Sequence, residues 1–299
     1  MIRLAGDVPV SVWTGSANFS ENAFNFQTNT ALVIRDKSTA GYYEEYFQGL
    51  SKNPAKAESK LINQDIMNRA NAVPGTFAER TFFSPVSRKH ILECSVDLMD
   101  NAESAILISA PFGLDNSMIA ALHANPEKIL EYGLVNTAAK KKIETLRRDN
   151  TRYFTPARLS TYMGRSWDAK AFGAHKIHAK TIVVDPYGET PGVLIGSANF
   201  SRPSCSDNGE NAMLITGNKR LAAVIATEFM RMYDHYKSRY YIDLTDQENK
   251  KIKKENGQPL KPYLAIDNYL INNDSWSKTA FDPDSPSHKY IDRLVFSGF

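Results

Sequence analysis

The chain has 299 residues, 42% hydrophobic and 23% charged, and its 36 basic and 33 acidic side chains leave a net charge of +3. That suits a globular protein of one or two modest domains with a sizeable core, and the charge is too small to argue for nucleic acid or membrane in bulk. Two cysteines, Cys94 and Cys205, exclude a disulfide framework. No apolar run reaches the roughly 18 to 20 residues that span a bilayer, and Met1–Pro9 lacks a signal-peptide layout, so a soluble protein in the cytoplasm is the default expectation.

Along the chain, the first marked segment is Gly15-Ser-Ala-Asn-Phe-Ser20, which recurs 181 residues later as Gly196-Ser-Ala-Asn-Phe-Ser201. The register continues without a gap, since Ala31-Leu-Val-Ile34 precedes Ala212-Met-Leu-Ile215 by the same spacing. A period this long signals duplication of a domain, because solenoid units are roughly 20 to 50 residues. The second copy has a long lead-in. Phe82 and Phe83 end at a Ser84-Pro85 break, and a helix is expected through Ile91, Leu92, Val96 and Met99. A strand over Ala105–Ala110, a helix over Asn116–His123 and a strand over Ile129–Val135 follow. Next come a basic helix over Thr137–Arg148, a strand over Thr151–Phe154, and strands around Ile182–Val184 and Val193–Ile195. A helix over Lys219–Tyr241 carries Leu221, Ile225, Phe229, Met232, Tyr236 and Tyr240 at core spacing, although its interleaved arginines and tyrosines could also track a nucleic-acid backbone. The tail with Trp276, Phe281, Pro283 and Pro286 reads as irregular, and Lys250–Lys254 as a solvated helix face. Apolar strands alternating with helices predict an α/β layered fold. The first copy starts abruptly before its own turn, without a comparable lead-in.

The chemistry centres on Ile177-His-Ala-Lys-Thr-Ile-Val-Val-Asp185. On a strand, His178 and Lys180 leave the same face, and the ammonium keeps the imidazole neutral near pH 7 and available as a nucleophile. A bound phosphate would compensate the positive field. Asn199 stands in a turn from which an amide can donate to phosphate oxygens, Gly196 permits close backbone approach, and Glu210 could hold the ring in one tautomer. His175 could touch substrate or be a loop histidine.

His178, Lys180, Asp185, Gly196, Ser197 and Asn199 together match the H-x-K-x4-D…G-S-x-N signature, and on these residues the chain resembles the phospholipase D superfamily. The resemblance extends from about Phe82 to Tyr241. It implies an αβα sandwich with a mixed sheet: one full domain over 74–241, the remnant of a duplicated copy over 1–73, and an extension over 242–299 packing on the body. It implies His178 as nucleophile or general acid, Lys180 and Asn199 on the phosphoryl oxygens, and Glu210 orienting His178. Asp185 is carried with the catalytic set, though its place at a strand end suits a structural role. Ser197, with Ser16 and Asn18 of the first copy, is expected to line the phosphate pocket or to hold its turn.

The expected reaction is double displacement at a phosphodiester through a phosphohistidine, by hydrolysis or transfer, with no metal and no cofactor. A phospholipid is the favoured substrate. A nuclease with the same residues, or an inactive phosphate-binding relative, are the other readings. Such a site uses two histidines, and in the 181-residue register the counterpart of His178 falls three residues before Met1. The first copy thus keeps Ser16 and Asn18, lacks the His-x-Lys strand, and has Asn29 where the second has Glu210. A fragment of a two-motif protein, a homodimer sharing its active site, and a catalytically dead relative are the three expectations.

Overall fold

The structure is a computed structural model that describes residues 1–72, 80–126, 128–136, 152–156, 161–162, 165–166, 177–256, 277–285 and 289–297. The expected basic helix over 137–148, His175, Trp276, Pro286 and the boundary at 73/74 lie outside them.

The first copy opens with strands β1 (Ile2–Ala5) and β2 (Val8–Gly15), the short helix α1 (Glu21–Asn25), and strand β3 (Ala31–Ile34). The strands form an antiparallel sheet in the order β1-β2-β3. Ser20 caps α1 by accepting the Ala23 N–H, and Asp36 caps the next helix, α2 (Lys37–Ser51), by accepting from Thr39. Helix α3 (Lys56–Ala70) follows.

Beyond it come β4 (Arg80–Ser84), α4 (His90–Asp100), β5 (Ala105–Ser109), α5 (Asn116–Ala124), β6 (Leu130–Val135) and β7 (Arg152–Pro156), then the short pair β8 (Thr161–Tyr162) and β9 (Arg165–Ser166). Strands β10 (Thr181–Val184) and β11 (Gly192–Gly196), helix α6 (Arg202–Ser206), strand β12 (Glu210–Thr216) and the long helix α7 (Lys219–Asn256) complete the repeat, before α8 (Ser277–Ala280) and α9 (Lys289–Ser297). Seven strands form one mixed sheet, β4-β12-β11-β10-β5-β6-β7. It is antiparallel from β4 to β5 and parallel from β5 to β7.

The sheet is buried on both faces, which is why its strands read as continuous apolar runs rather than alternating ones. On one face Ile106, Ile108, Ile182, Leu194 and Leu214 pack under α4 and α5. On the other, Leu107, Val183, Val193 and Ile195 meet Phe229 and Tyr233 of α7. Tyr236 is buried there too, so Phe229, Tyr233 and Tyr236 serve the core. This is an αβα sandwich. Helix α7 runs without a break past Tyr241, where the domain was expected to end. In α9, Ile291, Val295 and Phe296 pack on the α7 face, and Tyr132 donates to Asp292 at 2.6 Å.

The 181-residue register is structural as well as textual. At the spacing of 181, β2, α1, β3 and α2 fall on β11, α6, β12 and α7. Even the strand taken as missing survives in part. Strand β1 pairs Ile2 with Val12 and Arg3 with Ser11, where β10 pairs Val183 with Val193 and Val184 with Gly192. The second half of the equivalent strand is therefore present. The two turn glycines are held alike: a Cβ on Gly15 would lie 2.2 Å from the Thr30 carbonyl oxygen, and one on Gly196 2.2 Å from that of Asn211. Neither position has room for a side chain.

Candidate active site

His178 and Lys180 lie not in the β10 ladder, as expected, but in the lead-in to it, since strand pairing begins at Thr181. This lead-in is fixed from three sides. Asn136 clamps Ile177, its amide donating to the Ile177 carbonyl at 2.9 Å and accepting the Ile177 N–H at 3.0 Å. Ser109 donates to the Ala179 carbonyl at 3.0 Å. From the first copy, the Thr28 carbonyl accepts both the His178 and the Ala179 N–H at 2.9 Å. The site is thus assembled between the two copies of one chain.

The His178 ring is largely buried, with Nδ1 3.0 Å from Asn29 Oδ1 and the ring edge-on to Phe112 at a centroid distance of 6.1 Å. The carboxylate expected at Nδ1, Glu210, is replaced there by an amide from the other copy. Glu210 instead accepts from Ser197 Oγ at 2.7 Å. Burial raises the Glu210 pKa, while Ser197 and the Lys180 charge pull it down.

Lys180 is buried, and its Nζ donates to the His178 carbonyl at 2.8 Å and stands 5.8 Å from the centre of the Phe112 ring. Burial pushes its pKa down to about 7, against the opposing pull of Glu210. The ammonium is therefore poorly compensated, and an arriving phosphate would restore its proton. At Asn199 the amide oxygen is buried with no hydrogen-bond partner, which is costly unless a ligand group or a turned amide uses it.

Asp185 and the turn serines take the structural of their two expected readings. Asp185 belongs to the scaffold: its carboxylate accepts the N–H groups of Glu103, Ser104 and Ala105 and the Ser104 hydroxyl, at 2.7 to 3.0 Å. It is seven positions on from His178, beyond the full length of β10. Ser16 and Ser197 serve their own acceptors, Ser16 Oγ donating to Asn29 Oδ1 at 2.8 Å as Ser197 does to Glu210. Asn18 is exposed, with its carbonyl turned back to the Ser20 N–H. The residues missed from sequence are Asn29, Thr28, Asn136 and Phe112. The 181-residue register paired Asn29 with Glu210, but only the fold brings it to His178 across 149 residues.

Residues 96–233 match the family model described as cardiolipin synthase, PLD-like domain. Over this stretch the chain is similar to a phospholipase D-like domain. Among solved structures, the chain is similar to NucT from Helicobacter pylori, at 14% identity and a TM-score of 0.41 over 52% of this chain and 95% of that one. It is also similar to Nuc from Salmonella typhimurium, a phospholipase D family member, at 17% identity and a TM-score of 0.39 over 54% and 94%. The phosphatidylserine synthase of Haemophilus influenzae matches at 13% identity and a TM-score of 0.48 over 82% and 65%. No curated protein matches the sequence. Among the described residues no group of His, Cys, Asp and Glu is arranged to hold a metal ion, and no helix is long and apolar enough to cross a membrane.

Proposed function

We propose that the chain is a phosphodiesterase acting through His178, with a phospholipid as substrate. His178 Nε2 attacks phosphorus, and a P–N bond forms as the P–O bond to the leaving alcohol breaks. Water or a second alcohol then displaces the histidine and restores it. Lys180, protonated once a phosphate is bound, and Asn199 stabilise charge on the equatorial oxygens. The observation that carries this reading is the pairing of His178 and Lys180 on one rigid lead-in, with the lysine charge held short of compensation by burial.

What supports a lipid is the apolar surround. Phe112 is exposed beside the imidazole, and Phe26, also exposed, lies two residues from the Thr28 carbonyl that anchors His178. The leaving alcohol takes its proton from a second histidine, and a second copy of the chain bringing its own His178 is the source we propose. Incubation with phosphatidylcholine vesicles and with single-stranded DNA tests the substrate. Choline release with intact DNA is expected, whereas DNA cleavage with intact lipid would move the reading to a nuclease. His178→Ala is expected to lower turnover at least about a thousandfold. Light scattering with activity measured across dilution tests the partner, and full activity in a monomer would overturn it.

A further inference from the structure

The two copies share one hydrogen-bond circuit. In the second, Ser197 Oγ accepts the Asn211 N–H at 3.0 Å and donates to Glu210 at 2.7 Å. In the first, Ser16 Oγ accepts the Thr30 N–H at 3.0 Å and donates to Asn29 Oδ1 at 2.8 Å. The circuit is the same and the terminal group differs, a carboxylate in one copy and a carboxamide in the other.

Donor and acceptor accounting then fixes the histidine. The Asn29 amide nitrogen donates to the Ala23 carbonyl at 2.9 Å, and its oxygen already accepts from Ser16. The amide is thereby oriented with Oδ1 toward the ring. An amide oxygen only accepts, so the ring nitrogen 3.0 Å away must carry the proton. The lone pair then belongs to Nε2.

We infer that Asn29 is the positioning residue of the site, holding His178 in the Nδ1–H tautomer without a charge to favour the imidazolium, and that Ser16 sets the orientation of Asn29. This rests on the reading of His178 as nucleophile. A carboxylate in the same place would fix the same tautomer but would also stabilise the protonated ring, which has no lone pair with which to attack. Asn29 separates the two effects, fixing the tautomer without adding a charge beside the ring. Lys180 stands on the ring's own segment and feels the charge of Glu210 on β12; Phe112 flanks the ring, and the first copy contributes the neutral groups Thr28 and Asn29.

The test is nitrogen-15 NMR of the His178 ring in the full chain, alongside the pH dependence of kcat/KM on a phosphodiester such as bis(p-nitrophenyl) phosphate. In the unaltered chain, the ring is expected to be the Nδ1–H tautomer. Asn29→Asp is expected to raise the ring's titration by about one to three units, and the acid limb of the rate profile with it. Ser16→Ala, which leaves Asn29 in place, is expected to mix the tautomers and lower kcat more than it changes KM. Repeating the titration with Lys180→Met assigns the steps to ring or lysine. An unmoved ring titration in Asn29→Asp, or a single unchanged tautomer in Ser16→Ala, overturns the inference. If the ring behaves as expected and no variant turns over substrate, the positioning role stands and the phosphohistidine reading falls.

Discussion

The two copies keep one face of their sheets and differ in the other. Toward α2, Val12, Leu32 and Ile34 of the first copy pack as Val193, Met213 and Ile215 do in the second. On the opposite face the matched residues part company. Phe200 is 3% exposed and Leu214 7%, under α4 and α5, while their counterparts Phe19 and Val33 are 69% and 61% exposed. Phe24 stands in solvent where Cys205 is buried. Trp13, Phe19 and Phe24 meet only edge to edge. The difference teaches that a sheet of this kind needs a helical layer on just one side to keep its backbone. Packed on one face only, the first copy holds its register, its turn glycine and the Asn29 acceptor, and so can serve a histidine that belongs to the second.

The sharpest way to break this comparison is to truncate matched aromatics. Phe200→Ala is expected to cost about 3 to 5 kcal/mol in chemical denaturation, and Phe19→Ala no more than about 0.5 kcal/mol. Equal costs would mean that the open face is covered in solution. A smaller effect separates scaffold from chemistry at Asp185, whose counterpart in the first copy is the exposed Leu4. Asp185→Asn keeps the shape but loses the charge on four donors, and is expected to cost about 1 to 3 kcal/mol with kcat unchanged in the folded protein. A large loss of kcat at full stability would return Asp185 to the site.

A third test concerns Lys180. Its folded pKa, near 7, lies below that of the unfolded chain. Between the two values the unfolded state binds more protons, so stability should rise with pH from about 7 toward the usual lysine range. Denaturation midpoints across that span should show the rise, and Lys180→Met should flatten it. Added inorganic phosphate should also reduce the slope by favouring the charged lysine.

Much of the second copy was legible because buried strands and amphipathic helices write themselves in apolar residues. Strands β5, β6, β10 and β11 and helices α4 and α5 fall where Ile, Leu and Val cluster. The end of α7 was not legible, since the tyrosines near 241 looked like a boundary and the charged run beyond them continues the helix. At the site, residue types were readable but partnerships were not. Glu210 and Asn29 are each plausible acceptors for an imidazole, and the choice between them depends on which copy faces which across the Thr28–Ile177 bridge. No local spacing encodes that.

The matched glycines carry a consequence for redesign. At both turns any side chain would strike a backbone oxygen 2.2 Å away, so Gly15 and Gly196 leave mutation nothing to explore. The groups those turns present, Asn29 and Glu210, answer to the same serine circuit although one is neutral and the other acidic. A library that randomises positions 29 and 210 while holding both glycines would therefore vary proton chemistry on an unchanged frame, which makes this repeated turn a natural chassis for tuning the surroundings of a buried histidine.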